Sequence, residues 1–308
     1  MSRFVMSALV LLAFALSCTV VYGQAAEKPA PAAGKTFKLL RDEGTAADDL
    51  DLADEEAEAW DPALKGGALQ ISLGIGFMNL NTTLLKHDQI IYKYTTDSTY
   101  WGDVELKGES AFAPTLRIGY NLTEWFAIEG WGGVSISEYQ GNIENTHSRK
   151  NEPNAPVVDN PPLGEFDAET RSLITLQAGV NALWYPLAMS DASGSWHPYL
   201  TGGVGNMWYN MNSNYTNDTA SALDLNLGGG IRLLADRNIS VRAEVILHRN
   251  TLEWTPADYF TELNEGTTRV PLNEYPEVNN TITERPVTAF EANDMTILHW
   301  TLSIHGSF

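Results

Sequence analysis

The sequence predicts an all-β protein, an eight-stranded antiparallel up-and-down transmembrane β-barrel that occupies residues 67–308. Three observations support this prediction. Apolar and polar residues alternate along eight segments, the polar face of each segment is unsuited to a soluble core, and short connections alternate with long ones. Together these observations favour a membrane barrel over a soluble β-sandwich.

The alternation has the two-residue period of a strand, in which successive side chains point to opposite faces. Segments with this pattern occupy about residues 69–77, 112–120, 126–136, 174–184, 200–208, 223–233, 239–248 and 298–308. A tilted strand needs about ten residues to cross a bilayer, which matches these lengths. The opposite faces carry Gly, Ser, Thr, Asn and charged residues, which suit a wet lumen better than the core of a sandwich.

Aromatic residues lie near the ends of these segments, where a membrane barrel carries its two interfacial girdles. The candidates for the girdles are Tyr120, Trp125, Phe126, Trp184, Tyr185, Trp208, Tyr209 and Trp254.

The connections between segments also alternate in length. Short ones at residues 121–124, 187–196 and 235–238 separate longer ones at about 81–110, 140–170, 211–220 and 255–294. Eight antiparallel strands have seven connections. When both chain ends lie on the same side of the membrane, three connections lie on that side and four on the other. In an outer-membrane barrel the short turns face the periplasm and the long loops face outward.

The first 66 residues differ from the rest of the chain. Arg3 precedes an uncharged apolar stretch over residues 5–16, which predicts a signal peptide over residues 1–23 with cleavage after Gly23. An uncleaved anchor and a lipoprotein attached at Cys18 are the alternatives. Residues 24–66 are rich in Ala, Pro, Asp and Glu, which predicts a flexible periplasmic segment. The sequence leaves open whether this acidic segment is a simple linker, a tether or a plug for the barrel mouth.

Composition excludes several functional classes. The chain has 19 basic and 39 acidic residues and a formal charge of −20, which argues against a nucleic-acid partner. Its single cysteine, Cys18, lies in the predicted signal peptide, which argues against disulfides, cysteine zinc sites and thiol catalysis. The acidic run at residues 48–56 lacks the spacing and the glycine of a calcium loop. No cofactor is expected.

Several motifs resemble the outer-membrane β-barrel family of the OmpA/OmpX/OmpW type. They are residues 198–205 (PYLTGGVG), 227–232 (LGGGIR) and 241–245 (VRAEV), together with a C-terminal pattern formed by Trp300, Leu302, Ile304 and Phe308. The resemblance covers about residues 67–308, without the peptidoglycan-binding domain that OmpA carries after its barrel.

This resemblance implies a place in the outer membrane of a Gram-negative bacterium, among outer-membrane lipid and lipopolysaccharide. It also implies that the C-terminal pattern is the signal read by the barrel-assembly machinery. It does not specify a function, because the family includes structural barrels, narrow channels, adhesins and enzymes. The oligomeric state stays open.

Five charged residues lie on the lumen side by parity: Arg117, Glu129, Arg232, Arg242 and Glu244. Eight strands enclose a space that side chains can fill, and buried charges generally need partners. We therefore expect a charge network that seals the lumen. The alternative is a charged constriction that sets the selectivity of a narrow pore.

Signals of catalysis are weak. His305 and Ser307 share a face without a matched acid, no G-x-S-x-G elbow exists, and His299 and His305 lie about 20 Å apart at roughly 3.3 Å per residue. We therefore expect no enzymatic activity, so that a lipid-modifying enzyme is the least favoured class. The preferred function is a structural or surface-interaction role, possible binding sites being the long loops, above all the acidic loop at residues 255–294. The alternative is a narrow passive channel for small solutes or apolar molecules.

Overall fold

A computed structural model describes residues 64–165, 171–189, 195–212, 219–256, 260–263, 268–275, 277–278 and 281–308. All of them belong to the compact unit from Trp60 to Phe308. The predicted signal peptide lies outside the described residues, and so does the acidic segment apart from residues 64–66. Among the described helical residues, no helix is long and apolar enough to cross a membrane.

The described residues form nineteen strands and a short 3-10 helix at Pro186–Met189. The strands are β1 (Leu69–Asn79), β2 (Thr83–Tyr94), β3 (Ser98–Gly108), β4 (Ala111–Phe112), β5 (Thr115–Asn121), β6 (Phe126–Lys150), β7 (Val157–Asp159), β8 (Gly164–Glu165), β9 (Arg171–Trp184), β10 (Trp196–Asn212), β11 (Thr219–Leu234), β12 (Ile239–Leu252), β13 (Phe260–Leu263), β14 (Thr268–Pro271), β15 (Asn273–Glu274), β16 (Glu277–Val278), β17 (Thr281–Ile282), β18 (Arg285–Pro286) and β19 (Asn293–Ser307).

A closed antiparallel ring of eight strands organises this part of the chain, which confirms the predicted fold class. Around the ring the order is β1, β4 with β5, β6, β9, β10, β11, β12 and β19, where β4 and β5 together form one strand position. Strands β1 and β19 close the ring in a register that runs from Gln70 opposite Ser307 to Asn79 opposite Leu298. Closure leaves no strand edge of the ring unpaired, as a hydrocarbon environment requires.

The two faces of the ring have the predicted parity. Outward-facing Leu73, Phe77 and Ile304 are 50%, 64% and 64% exposed, although they are large and apolar. Inward-facing Ser72 and Gln177 are buried. A polar interior and an apolar exterior are the reverse of a soluble protein and fit a ring surrounded by lipid.

The predicted aromatic girdles require a correction. Tyr120, Trp125 and Trp184 are exposed on the outer face, but Tyr185, Tyr209 and Trp254 are buried. The girdle role predicted for these last three is therefore wrong. Tyr185 and Tyr209 each follow an outward-facing tryptophan by one residue, so the two-residue period turns them inward.

Three long connections predicted as loops contain sheet. The hairpin of β2 and β3 occupies most of residues 81–110, and β6 extends to Lys150 and pairs with β3. Short strands β13 to β18 occupy parts of the predicted loop at residues 255–294. The prediction of these segments as loops is wrong because their pairing continues beyond the apolar band, where alternation no longer marks a strand.

The Asp103 carboxylate joins two irregular positions of this extended sheet. Gln89 on β2 and Asn145 on β6 have positive φ angles of 58° and 46°, and pairing slips at both places. One oxygen of Asp103 accepts hydrogen bonds from the backbone and side-chain nitrogens of Gln89, each at 2.9 Å, and the other accepts from Asn145 at 2.6 Å. Burial alone would raise the pKa of the Asp103 carboxyl, but these hydrogen bonds outweigh it and hold the pKa below its ordinary value.

The apolar band predicts that a charge on the outer face destabilises the barrel more, the closer it lies to the middle of the band. Leu227→Arg places a cation on the outer face near the middle of β11, and it should lower the free energy of unfolding by about 2–4 kcal/mol. Ser221→Arg, on the same face but beyond the band, should cost about 0–1 kcal/mol. Denaturant unfolding in phospholipid vesicles measures both values. Equal costs would show that this face does not contact lipid.

The Asp103 contacts predict an acid-sensitive hairpin. A depressed folded-state pKa gives a stabilisation that is present above the unfolded value near 3.9 and is lost as the pH falls through the folded value. Asp103→Asn should lower the local stability at neutral pH by about 1 kcal/mol, after allowance for solvent screening. Amide hydrogen-exchange protection at Gln89 measures the effect. Asp97→Asn, at the exposed turn of the same hairpin, should change nothing, and an equal loss in both variants would refute the role of Asp103.

Candidate functional site

Four charged side chains from three strands meet inside the ring. Arg117 lies on β5, Glu129 on β6, and Arg242 and Glu244 on β12. The two-residue period places Arg242 and Glu244 on the same inner face. All four are at most 4% exposed. Strands β12 and β6 are not neighbours, so these side chains bridge the lumen.

The four residues form a closed set of ion pairs. Arg242 donates from Nη1 to Oε2 of Glu129 at 2.9 Å and from Nη2 to Oε1 at 3.0 Å, which is a two-pronged contact. Arg117 donates from Nη1 to Glu129 Oε1 at 2.9 Å and also pairs with Glu244. Arg242 Nε lies 3.5 Å from Glu244 Oε2. Two cations and two anions therefore balance each other within the set.

Neutral side chains complete the coordination of Glu244. The Tyr199 hydroxyl donates to Oε2 at 2.6 Å and the Thr301 hydroxyl donates to Oε1 at 2.7 Å. The Arg242 guanidinium also lies over the Tyr199 ring, 5.4 Å from its centre. Gly230 makes room for this arrangement, because a Cβ there would lie 2.7 Å from the Tyr199 hydroxyl and 2.3 Å from the Ala243 carbonyl oxygen.

Arg232, the fifth residue of the predicted network, lies apart from the other four. It is 1% exposed, and its guanidinium donates to Ser240 at 2.9 Å, Gln70 at 2.8 Å and Ser307 at 3.4 Å. All three acceptors are neutral. The structure thus brings four predicted residues together and places the fifth nearer the end of the ring where the short turns lie.

A second polar layer lies beyond the ion pairs. Asp224 and His248 form a buried pair at 2.8 Å, and the His248 ring lies 5.7 Å from the ring of His299. The Trp131 indole lies 5.6 Å from the ring of His248 and donates to Asn181 at 2.9 Å. The sequence did not place His248 beside any other residue, because strand pairing alone does not show which side chains meet across a ring.

The residues considered for catalysis do not meet. His305 Nε2 lies 2.9 Å from the Ser303 hydroxyl, whereas Ser307 accepts from Arg232. Within the described part of the chain, no group of three or more His, Cys, Asp and Glu residues could hold a metal ion.

Buried apolar side chains cluster at both ends of the ring. The short-turn cluster consists of Leu64, Ala127, Leu183, Tyr185 and Tyr199. The long-loop cluster is larger, and its buried members include Met78, Leu84, Leu106, Leu173, Met207, Tyr209, Met211, Leu252, Trp254, Phe290, Met295 and Ile297.

The long-loop cluster joins the connecting segments to the ring. The Trp254 indole donates to the Leu84 carbonyl at 2.8 Å, which ties the end of β12 to the β2 hairpin. Phe290, from the last connection, lies 5.5 Å from His87 on β2, and His87 contacts Glu274. The connecting segments therefore cover the interior of the ring at this end.

The C-terminal residues lie on the outside of the ring. Trp300, Leu302 and Ile304 on one side of β19, and Phe308 directly after the strand, are between 52% and 77% exposed. Their proposed part in assembly stays a prediction.

Several contributors to the site were missed in the sequence. Tyr199, Thr301, Asp224 and Gln70 all lie on the inner face by parity, so a signal existed for their direction. No signal existed for their partners, because each contact depends on the stagger between strands distant in sequence.

No family model matches the sequence, and no curated protein matches it. Among solved structures, the chain is similar to the outer membrane protein OprG from Pseudomonas aeruginosa, with a TM-score of 0.47 and 10% identity over 81% of this chain and 99% of that one. It is also similar to Neisserial surface protein A, with a TM-score of 0.40 and 7% identity over 79% and 99%. Ail of Yersinia pestis gives a TM-score of 0.33 and 9% identity over 79% and 99%.

The chain has the fold of an outer-membrane β-barrel. A closed eight-strand ring with an apolar exterior and a polar lumen is diagnostic of that class. The resemblance to OmpA/OmpX/OmpW-like barrels is therefore confirmed at the level of the fold.

The ion-pair set predicts that removal of one charge strongly destabilises the protein. Glu129→Gln leaves two buried arginines facing a single carboxylate and should lower the free energy of unfolding by about 3–5 kcal/mol. Glu124→Gln, on an exposed short turn, should change it by less than about 0.5 kcal/mol. Denaturant unfolding of both variants in the same vesicles makes the comparison. Equal values would mean that the lumen pairs are solvated.

Proposed function

We propose that the protein is an integral outer-membrane β-barrel with a sealed lumen, whose role is structural or surface-interacting and not catalytic. Its surroundings are outer-membrane lipid and lipopolysaccharide, and the barrel-assembly machinery inserts it. In this proposal the short turns and the N-terminal acidic segment face the periplasm, and the long-loop end faces outward.

The observation that carries this proposal is the set of buried, mutually compensated charges that crosses the lumen. An apolar cluster lies at each end, and between the two clusters lie the ion pairs and the second polar layer, which contains His248 and Trp131. Arg242 is fully buried and Glu244 is 4% exposed. Ions would have to disrupt buried, mutually compensated charges to pass, and disruption of such pairs is costly.

A narrow water-lined channel is the second candidate. Ser135, Thr175, Gln177 and Thr115 each place a buried side-chain oxygen in the lumen without a protein hydrogen-bond partner in the described residues. Buried polar atoms of this kind are commonly satisfied by ordered water. A chain of such waters would favour slow passage of small solutes.

Planar-bilayer conductance of the purified full-length protein separates the two candidates. The sealed barrel predicts no discrete openings in the wild type. The double variant Glu129→Ser/Arg242→Ser, which removes one anion and one cation, should produce small openings because it leaves space in the central layer.

The matched control is Glu124→Ser/Arg237→Ser, which removes the same charges from exposed short turns. It should stay silent. Discrete openings in the wild type would overturn the sealed-barrel proposal and support the channel, once the heat-modifiable gel shift of a folded barrel is verified for every sample.

A further inference from the structure

We propose that the connection between β12 and β19 carries a movable closure, which opens and closes over the long-loop cluster while the ring stays intact. Its moving part, here called the strap, consists of residues 272–275, which contain β15, and residues 284–290, which contain β18. Its docking site is β2. This inference goes beyond the structural role proposed above and does not depend on whether the lumen conducts.

The strap is a small unit held together by its own contacts. Glu274 on β15 lies opposite Arg285 on β18, and the Arg285 guanidinium also donates to the Glu274 carboxylate. The Val287 amide donates to the Leu272 carbonyl at 3.0 Å. These contacts lie within the strap, so they can persist when it moves as one body.

The seam between the strap and the rest of the sheet is much weaker than the seam that closes the ring. Among the described residues, strand pairing across it consists of Glu274 opposite Ile90. Beside this pair, the Tyr275 amide donates to the Gln89 carbonyl at 3.0 Å. Segments held by few backbone hydrogen bonds open locally at low free energy, so this seam should open before the ring does.

The docking point on β2 is prepared by an unusual backbone conformation. Gln89 has a φ of 58°, and the pairing of β2 with β3 skips a residue there. Asp103 on β3 holds the backbone and side-chain nitrogens of Gln89, while the Gln89 carbonyl accepts from Tyr275. Positive φ at a residue other than glycine persists only where its surroundings fix it, and Asp103 does so from outside the strap. The docking point therefore remains when the strap leaves.

Glu274 is the clasp that fastens the seam. One carboxylate oxygen contacts Nε2 of His87 on β2, and the other contacts Arg285 within the strap. The Glu274 side chain is only 10% exposed, so its contact with His87 is stronger than one in open solvent. A further contact across the seam, from the Tyr94 hydroxyl to Glu284 at 2.6 Å, is exposed and contributes less.

Apolar burial favours the closed state. Leu272, Val287 and Phe290 of the strap are 9%, 8% and 5% exposed and belong to the long-loop cluster. Ile90, which faces the seam, belongs to the same cluster. Opening of the strap exposes these side chains to water, which costs free energy, and it uncovers the cluster. The strap thus controls access to the interior from the long-loop end.

The first test measures amide hydrogen exchange of the full-length protein in detergent micelles by nuclear magnetic resonance. The Tyr275 amide reports on the seam, the Val287 amide on the strap, and the Ala113 amide, which donates to Gly76 at 2.8 Å, on the ring. Tyr275 should exchange faster than the other two in the wild type. Equal protection of Tyr275 and Ala113 would overturn the proposal, because the seam would then open only together with the ring.

His87→Phe removes the clasp across the seam but leaves the contacts within the strap. It should lower the protection of the Tyr275 amide by about tenfold or more, as expected for loss of a charge-assisted hydrogen bond, and leave Val287 and Ala113 unchanged. The matched control is His147→Phe on β6, since His147 contacts Asp159 and Trp101, neither of which belongs to the strap. It should change none of the three amides. An equal loss at Tyr275 and Val287 in His87→Phe would mean that the strap unravels and does not move as a unit, which contradicts the proposal.

A second pair of variants applies if His87→Phe fails to fold. Glu274→Gln removes the clasp from the side of the strap and should also lower the protection of Tyr275 by about tenfold or more. Glu291→Gln removes the same charge from an exposed position of the same connection and should have no effect. Unchanged protection of Tyr275 in Glu274→Gln would show that this carboxylate does not fasten the seam.

The second test measures access to the cluster through a buried thiol. Cys18→Ser removes the only cysteine of the full chain, and Ile90→Cys then places a thiol at the seam, where Ile90 is 4% exposed. His87→Phe should raise the rate at which a water-soluble maleimide labels this thiol by about tenfold. Ala127→Cys, in the short-turn cluster, should be labelled at the same rate with and without His87→Phe.

A rate at Ile90→Cys that does not respond to His87→Phe would overturn the proposal. An equal rise at both thiols would also overturn it, because the whole barrel would then have loosened. Neither result bears on the conductance of the wild type, so failure here is distinguishable from failure of the sealed-barrel function.

Discussion

The narrowness of an eight-strand ring is the constraint on which the rest of the structure depends. Once β1 pairs with β19, side chains from opposite walls are within reach of each other, and the interior must be packed with them. Glycines on the inner face then leave the room that large side chains need. The Trp131 ring lies over Gly179 and Gly205, where an added Cβ would approach it to 3.0 and 3.1 Å.

The same constraint explains why the interior is polar and yet densely paired. Lipid requires apolar residues outside, so the alternation of each strand leaves polar and charged residues inside. Burial of one such charge without a partner would cost several kcal/mol of free energy. In the lumen, two arginines are paired with two glutamates, which offsets this cost. Such a core gains less from the hydrophobic effect than a soluble core, and its order comes from directional contacts.

Much of the barrel was predictable from the sequence, because alternation reports directly on which face a residue occupies. The inward positions of Arg117, Glu129 and Glu244 follow from parity alone. The separation of Arg232 from them does not, since it depends on strand stagger and on Gln70 reaching it from across the closure. The β2 hairpin was missed because its residues lie outside lipid and need no uniformly apolar face.

The closed ion-pair set has a consequence for how such a sequence can change over generations. Replacement of one member leaves a buried charge without its partner, whereas a compensated double replacement returns to electrical neutrality. Substitutions at Arg117, Glu129, Arg242 and Glu244 should therefore be accepted in correlated pairs. The lipid-facing side of the same strands can drift among Leu, Ile, Val and Phe one residue at a time, so two faces of one strand evolve under different rules.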